Sequence, residues 1–301
     1  MADDRAPSAA VLFAACTLIW GSTWLGIKYQ LGAVAPEISV VYRFAAAGLL
    51  LAMWCAATGR SLRFPPAAHV FLALQGALMF GFNYAGVYVA EEFVTSGLVA
   101  VLFATIVFMN PIFMRLVYRT PLSPRLLVAA TIGVAGVALL FLPDLIEARK
   151  GGNAALGIAY GLGATVFASA GNIVALRNQR AGIPIFPGTA LAMLYGAITI
   201  ALVALALRIP WTLDARPAYW GAFAYLVVFG SIAAFGSYLN LMKKVGPGLS
   251  GFVGVATPVV ALVLSTLFEG YRWTGVAIAG GVLAVVGNLL AVPNPPWRRA
   301  R

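Results

Sequence analysis

The chain has 301 residues, of which 62% are hydrophobic and only 10% charged, against roughly 25% charged in soluble domains; that balance excludes a water-soluble fold. One His, two Cys and nine acidic residues leave too few ligands and acid/base groups for most metalloenzymes or hydrolases, so no enzyme activity, metal or cofactor is expected. The net charge of +11 sits almost wholly between long apolar segments, which argues for a lipid bilayer as partner and against nucleic acid.

A bilayer core takes about 20 apolar residues in a helix, and ten nearly charge-free runs approach that length. In chain order they cover 11–27, 39–58 (broken by Arg43 near its start), 70–90, 93–114, 126–143, 153–176, 181–207, 217–242, 245–268 and 273–292. The first lacks a strong basic flank and an Ala-x-Ala exit, so it reads as a helix rather than a cleaved signal. The links at 59–63, 119–124 and 246–248 are short and turn-like. Backbone cannot lie bare against lipid, and alternating barrel segments are absent from the pattern. The expected fold is therefore an all-α integral membrane protein with ten transmembrane helices in one domain.

If the segment ends alternate between sides, one side receives 13 Lys and Arg and the other 7. The positive-inside rule then puts both termini in the cytoplasm, as in a multi-pass protein of a bacterial inner membrane.

The halves echo each other. The stretch 88–97 resembles 238–248, Asn110-Pro111 corresponds to Thr257-Pro258, and Gly133 and Gly136 correspond to Gly281 and Gly287. This divides the chain into a five-helix repeat at 9–143 and a second at 153–292. Five is odd, so the second copy enters the membrane inverted. Glu91-Glu92 in one copy and Lys243-Lys244 in the other agree with that reversal. Inverted repeats are the architecture of carriers that open to either side in turn around a central site.

Trp20-Gly-Ser-Thr-Trp24, Tyr42-Arg43-Phe44, Pro111, Pro258 and the stretch 267–275 carry a resemblance over essentially the whole chain. It resembles the EamA type of the drug/metabolite transporter superfamily, and within it the bacterial amino-acid exporters of the YddG type. That resemblance implies two inverted five-helix halves, a central cavity, and export of aromatic and other neutral amino acids or related metabolites by alternating access. The first half departs from the pattern: it has 120–123 where the second has Glu269.

Polar and aromatic residues spaced i, i+3, i+4 form stripes disfavoured against lipid. The candidate substrate site comprises Trp20 and Thr23, with Trp24; Phe80, Asn83, Tyr84 and Tyr88; Phe167, Ser169 and Asn172, with Thr165; and Phe235 and Tyr238, with Ser231. Rings would stack on an aromatic amino acid, and hydroxyl or amide groups would meet its ammonium and carboxylate. Interhelical hydrogen bonding is the competing role for each. Pro111 and Pro258 are candidate hinges, each freeing the carbonyl four residues back, with a static bend as the alternative. Arg43 either snorkels to the outer surface or attracts a substrate carboxylate.

No carboxylate falls mid-span, so facilitated diffusion or exchange is expected rather than proton coupling. Small residues at 77, 81, 85, 157 and 161 suit close helix contact. Cys16 and Cys55 read as reduced packing residues, and His69 as a lone interfacial residue in a loop. Carriers of a nucleotide sugar or phosphorylated metabolite would call for Lys or Arg inside the cavity. Such a carrier, or a multidrug or cation exporter, is the alternative reading. The oligomeric state is left open, and a monomer is compatible with it.

Overall fold

The structure is a computed structural model, and it describes residues 7–142, 146, 153–268 and 273–291. Glu269 of the sequence reading lies outside them, with the rest of 269–272. Among the described residues the chain is helical and carries no strand.

The helices are α1 (Ala9–Gln30), α2 (Pro36–Ala57), α3 (Pro66–Phe93), α4 (Ser96–Ala104 and Ile106–Tyr118), α5 (Pro124–Leu140), α6 (Ala154–Arg180), α7 (Ile185–Ala206), α8 (Pro217–Ser250), α9 (Val253–Phe268) and α10 (Gly275–Ala291). Seven of them are long and apolar enough to cross a membrane; α5, α9 and α10 are shorter apolar helices.

Their starts follow from local chemistry. Proline stands at the first turn of α2, α3, α5 and α8, where its missing N–H costs nothing and its φ is already helical. The Oγ of Ser8, Thr95 and Ser123 accepts from Val11, Leu98 and Leu126 N–H, capping donors that have no partner in the helix. His69 is not in a loop: Pro66 starts α3 early enough to include it, and its Nδ1 lies 2.7 Å from the Tyr195 hydroxyl.

Two features interrupt the expected regularity. Gly76–Phe82 in α3 and Leu226–Ala233 in α8 are wound as π-helix, a wider turn often found at functional sites. Helical hydrogen bonding also runs on past the expected break before residue 245. α8 kinks instead at Gly246, whose φ of 80° and ψ of 165° suit glycine, with Pro247 next.

α5 packs along α10, α2 along α7, α3 along α6, and α1 along α8 and α9. Glycines set close approaches here: a Cβ on Gly136 would run into Ala284 N, and one on Gly287 would lie 2.6 Å from the Gly133 Cα. In a bilayer, where lipid is as apolar as leucine, such backbone proximity is a main source of helix cohesion. Cys16 and Cys55 are free and buried. On the α1–α2 and α7–α8 links, Arg216 pairs with Asp214 and also donates to the Leu31 carbonyl at 3.1 Å.

Candidate functional site

α1, α3, α4, α6, α8 and α9 surround a central cavity of about 800 Å³, its open mouth included. Trp20, Thr23 and Trp24 come from α1, Asn83 and Tyr84 from α3, Asn172 from α6, Phe235 and Tyr238 from α8, and Pro258 from α9. The lining contains no Lys, Arg, Asp, Glu or His.

The rings form one connected cluster. Trp20 lies 5.0 Å from Phe235 and 5.1 Å from Tyr238, and its Nε1 donates to the Gly230 carbonyl at 3.1 Å inside the π-helical stretch of α8. Phe80 packs edge-on against Phe235 at 4.7 Å, and Phe44 against Tyr84 at 4.7 Å. The widened turns in α3 and α8 thus lie directly beside the aromatic wall.

Two polar networks flank the rings. In one, Asn110 Oδ1 accepts from Ser169 Oγ at 2.8 Å and from Asn172 Nδ2 at 3.2 Å, while Asn172 Nδ2 also donates to Tyr238 OH at 3.0 Å. In the other, Arg43 Nε donates to Ser231 Oγ at 2.9 Å and Nη1 to Tyr88 OH at 3.2 Å; Tyr88 in turn donates to Gln30 Oε1 at 2.8 Å. The Arg43 guanidinium also lies over the rings of Tyr84 and Phe44, at 4.7 and 5.3 Å.

Arg43 corrects the snorkelling alternative. Its side chain is fully buried because Ser231 and Tyr88 hold it inward, so it does not reach the surface. Of the sequence candidates, Phe80, Tyr88, Ser169 and Pro111 are buried behind the lining rather than in it. Phe167 is set apart: it is 38% exposed and packs on Phe82 at 5.3 Å. It stands two residues before Ser169, about 200° around the helix, and so points away from the bundle.

Sequence reasoning missed Asn110 and Gln30. Asn110 drew attention only as the neighbour of Pro111, and Gln30 lies beyond the first apolar run although α1 continues through it. Glu91, one turn beyond Tyr88, has a buried Oε1 with no hydrogen-bond partner and does not line the cavity. Among the described residues no group of His, Cys, Asp and Glu is placed to hold a metal.

The chain is 31% identical to the uncharacterized inner membrane transporter YedA of Escherichia coli K12, over 96% of this chain and 94% of that protein. It is 23% identical to the uncharacterized transporter YyaM of Bacillus subtilis 168, over 91% and 90%. A solved crystal structure shares the fold at a TM-score of 0.75 and 21% identity, covering 94% of this chain and 96% of that one. The model of the EamA-like transporter family matches residues 7–142 and again residues 155–292. The chain belongs to the EamA-like transporter family, in the drug/metabolite transporter superfamily, and is a transmembrane transporter.

Proposed function

We propose that the protein is a secondary transporter of small neutral metabolites, above all aromatic and other neutral amino acids, exporting them across a bacterial inner membrane by alternating access. The observation that carries this reading is the cavity itself: Trp20, Tyr84, Phe235 and Tyr238 offer ring faces, Thr23, Asn83 and Asn172 offer polar groups, and the lining is uncharged. Aromatic faces suit an apolar or aromatic side chain, and amide and hydroxyl groups suit the two ends of a zwitterion. Phosphorylated cargo would need cations in the lining.

Ten spans in two inverted halves, 9–143 and 153–292, are part of the proposal. The twofold match of the family model supports it. So does the packing, because exchanging α1–α5 with α6–α10 turns the α3–α6 contact into the α8–α1 contact and leaves the α2–α7 and α5–α10 pairs in place. The two π-helical stretches fall in corresponding helices, α3 and α8. The excess of Lys and Arg on the side of the termini orients both termini to the cytoplasm.

Each site residue has an assigned part. Trp20, Thr23, Asn83, Tyr84, Asn172, Phe235 and Tyr238 contact substrate, and Phe80, Tyr88 and Ser169 hold them. Pro111 and Pro258 are hinges. Arg43, close behind Tyr84, draws the substrate carboxylate electrostatically. Phe167 has no part in this site.

The test is counterflow of labelled Phe, Trp and Met into liposomes holding the purified protein. Saturable uptake is expected. Movement of a phosphorylated or cationic compound with no uptake of any amino acid would overturn the substrate assignment and leave the transporter fold intact.

A further inference from the structure

One end of the cavity leads into a second space lined by Lys28, Ser96, Phe141 and Leu262, which shares Trp24 and Ala100 with the cavity. Toward the other end stands a side chain that lines neither space. Asn110 is fully buried and lies 14 residues beyond Ser96 on α4, about 20 Å along the helix axis. Its Nδ2 donates to the Pro247 carbonyl at 2.7 Å. Its Oδ1 accepts from both Ser169 and Asn172.

An amide offers two N–H donors and two lone pairs. Asn110 spends one donor and both lone pairs on two elements: α6, through Ser169 and Asn172, and the end of α8, through Pro247. The bond to Pro247 falls next to Gly246, where the backbone leaves the helical region. Ser250 Oγ donates to the same carbonyl at 3.4 Å. Two members of this network, Asn172 and Tyr238, present themselves to the cavity. A ligand that engages Tyr238 or Asn172 therefore competes with bonds that converge on Asn110.

We propose that Asn110 is the latch of the closed end: it fastens α4 to the Gly246-Pro247 turn and positions Asn172 and Tyr238, so this end opens only when the Asn110–Pro247 bond breaks. Opening is then a two-state rearrangement around a glycine-proline turn, biased by whatever occupies the cavity floor.

The test reads accessibility and needs no substrate. Thr257, which lines the cavity, is replaced by Cys in a background carrying Cys16→Ala and Cys55→Ala. Its labelling by a membrane-impermeant thiol reagent is then measured separately from each face of oriented vesicles. Asn110→Ala should raise labelling from the face of the Gly246-Pro247 turn about tenfold, the effect of a 1.4 kcal/mol shift, without raising it from the opposite face. Ser169→Ala removes a single donor, keeps the bond to Pro247, and should act in the same direction more weakly. It also keeps the test decisive if Asn110→Ala fails to reach the membrane. Labelling unchanged in both variants, or raised equally from both faces as in a general loosening, would overturn the latch. Because no cargo enters the assay, a failed amino-acid counterflow with a one-sided labelling change would sink the cargo assignment alone.

Discussion

A guanidinium removed from water is costly unless its donors and charge are met. Arg43 is met by the Ser231 and Tyr88 oxygens and by the faces of Tyr84 and Phe44; among the described residues none of these is an anion. The local field therefore stays positive close behind a ring that lines the cavity. Arg43→Met keeps much of the volume, and it orphans little, since Ser231 still donates to the Leu226 carbonyl at 2.9 Å and Tyr88 to Gln30. The variant should fold and should raise the half-saturating concentration for a zwitterionic amino acid about tenfold, a loss of 1.4 kcal/mol. Unchanged kinetics at normal expression would leave Arg43 with a structural role only. The residue's presence among apolar neighbours was legible in the sequence, and its inward direction was not, because only the α8 partner Ser231 decides it. Trp20, Thr23, Tyr84, Phe235 and Tyr238, picked out by the i, i+3, i+4 stripes, line one cavity. Phe167 failed because it lies off the polar stripe of its own helix.

Among elements, the helix pairs divide into those that line the cavity and those that brace it. α5 and α10 contribute nothing to the cavity lining, and they approach so closely that Gly136 meets the backbone of Gly280 and Ala284. Gly136→Leu should lower thermal stability strongly, since overpacking alone costs about 1–3 kcal/mol and here the obstacle is backbone. The protein that does fold should keep its half-saturating concentration. A shift in that concentration at unchanged melting temperature would contradict the division. These glycines were visible in the sequence only as marks of repetition; that they bring two backbones together depends on which helix lies opposite. The π-helical stretches had no sequence signal at all, because a shift of one hydrogen-bond partner leaves the apolar pattern intact. Pro258 behaves differently from a brace. It gives no N–H to the Gly254 carbonyl, and both residues line the cavity. Pro258→Ala restores that bond, and should slow counterflow while leaving equilibrium binding of substrate nearly unchanged. Equal losses in rate and binding would instead make Pro258 a contact residue.

For the whole molecule, the question is whether transport is tied to protons. A coupled carrier needs a group that binds either proton or cargo inside the bundle, and the cavity lining has no acid. The one acid in the bundle with a buried, unpartnered oxygen among the described residues is Glu91, at the end of α3 behind Tyr88. If transport is uncoupled, an imposed pH gradient should neither drive accumulation of a neutral amino acid nor change its exchange rate. Glu91→Gln, which keeps the shape and removes the titrating group, should behave like the unaltered protein under the same gradient. Gradient-driven accumulation that Glu91→Gln abolishes, with counterflow preserved, would identify Glu91 as the coupling site. It would also show that charge near the helix end, beyond the aromatic wall, controls which face the two halves present.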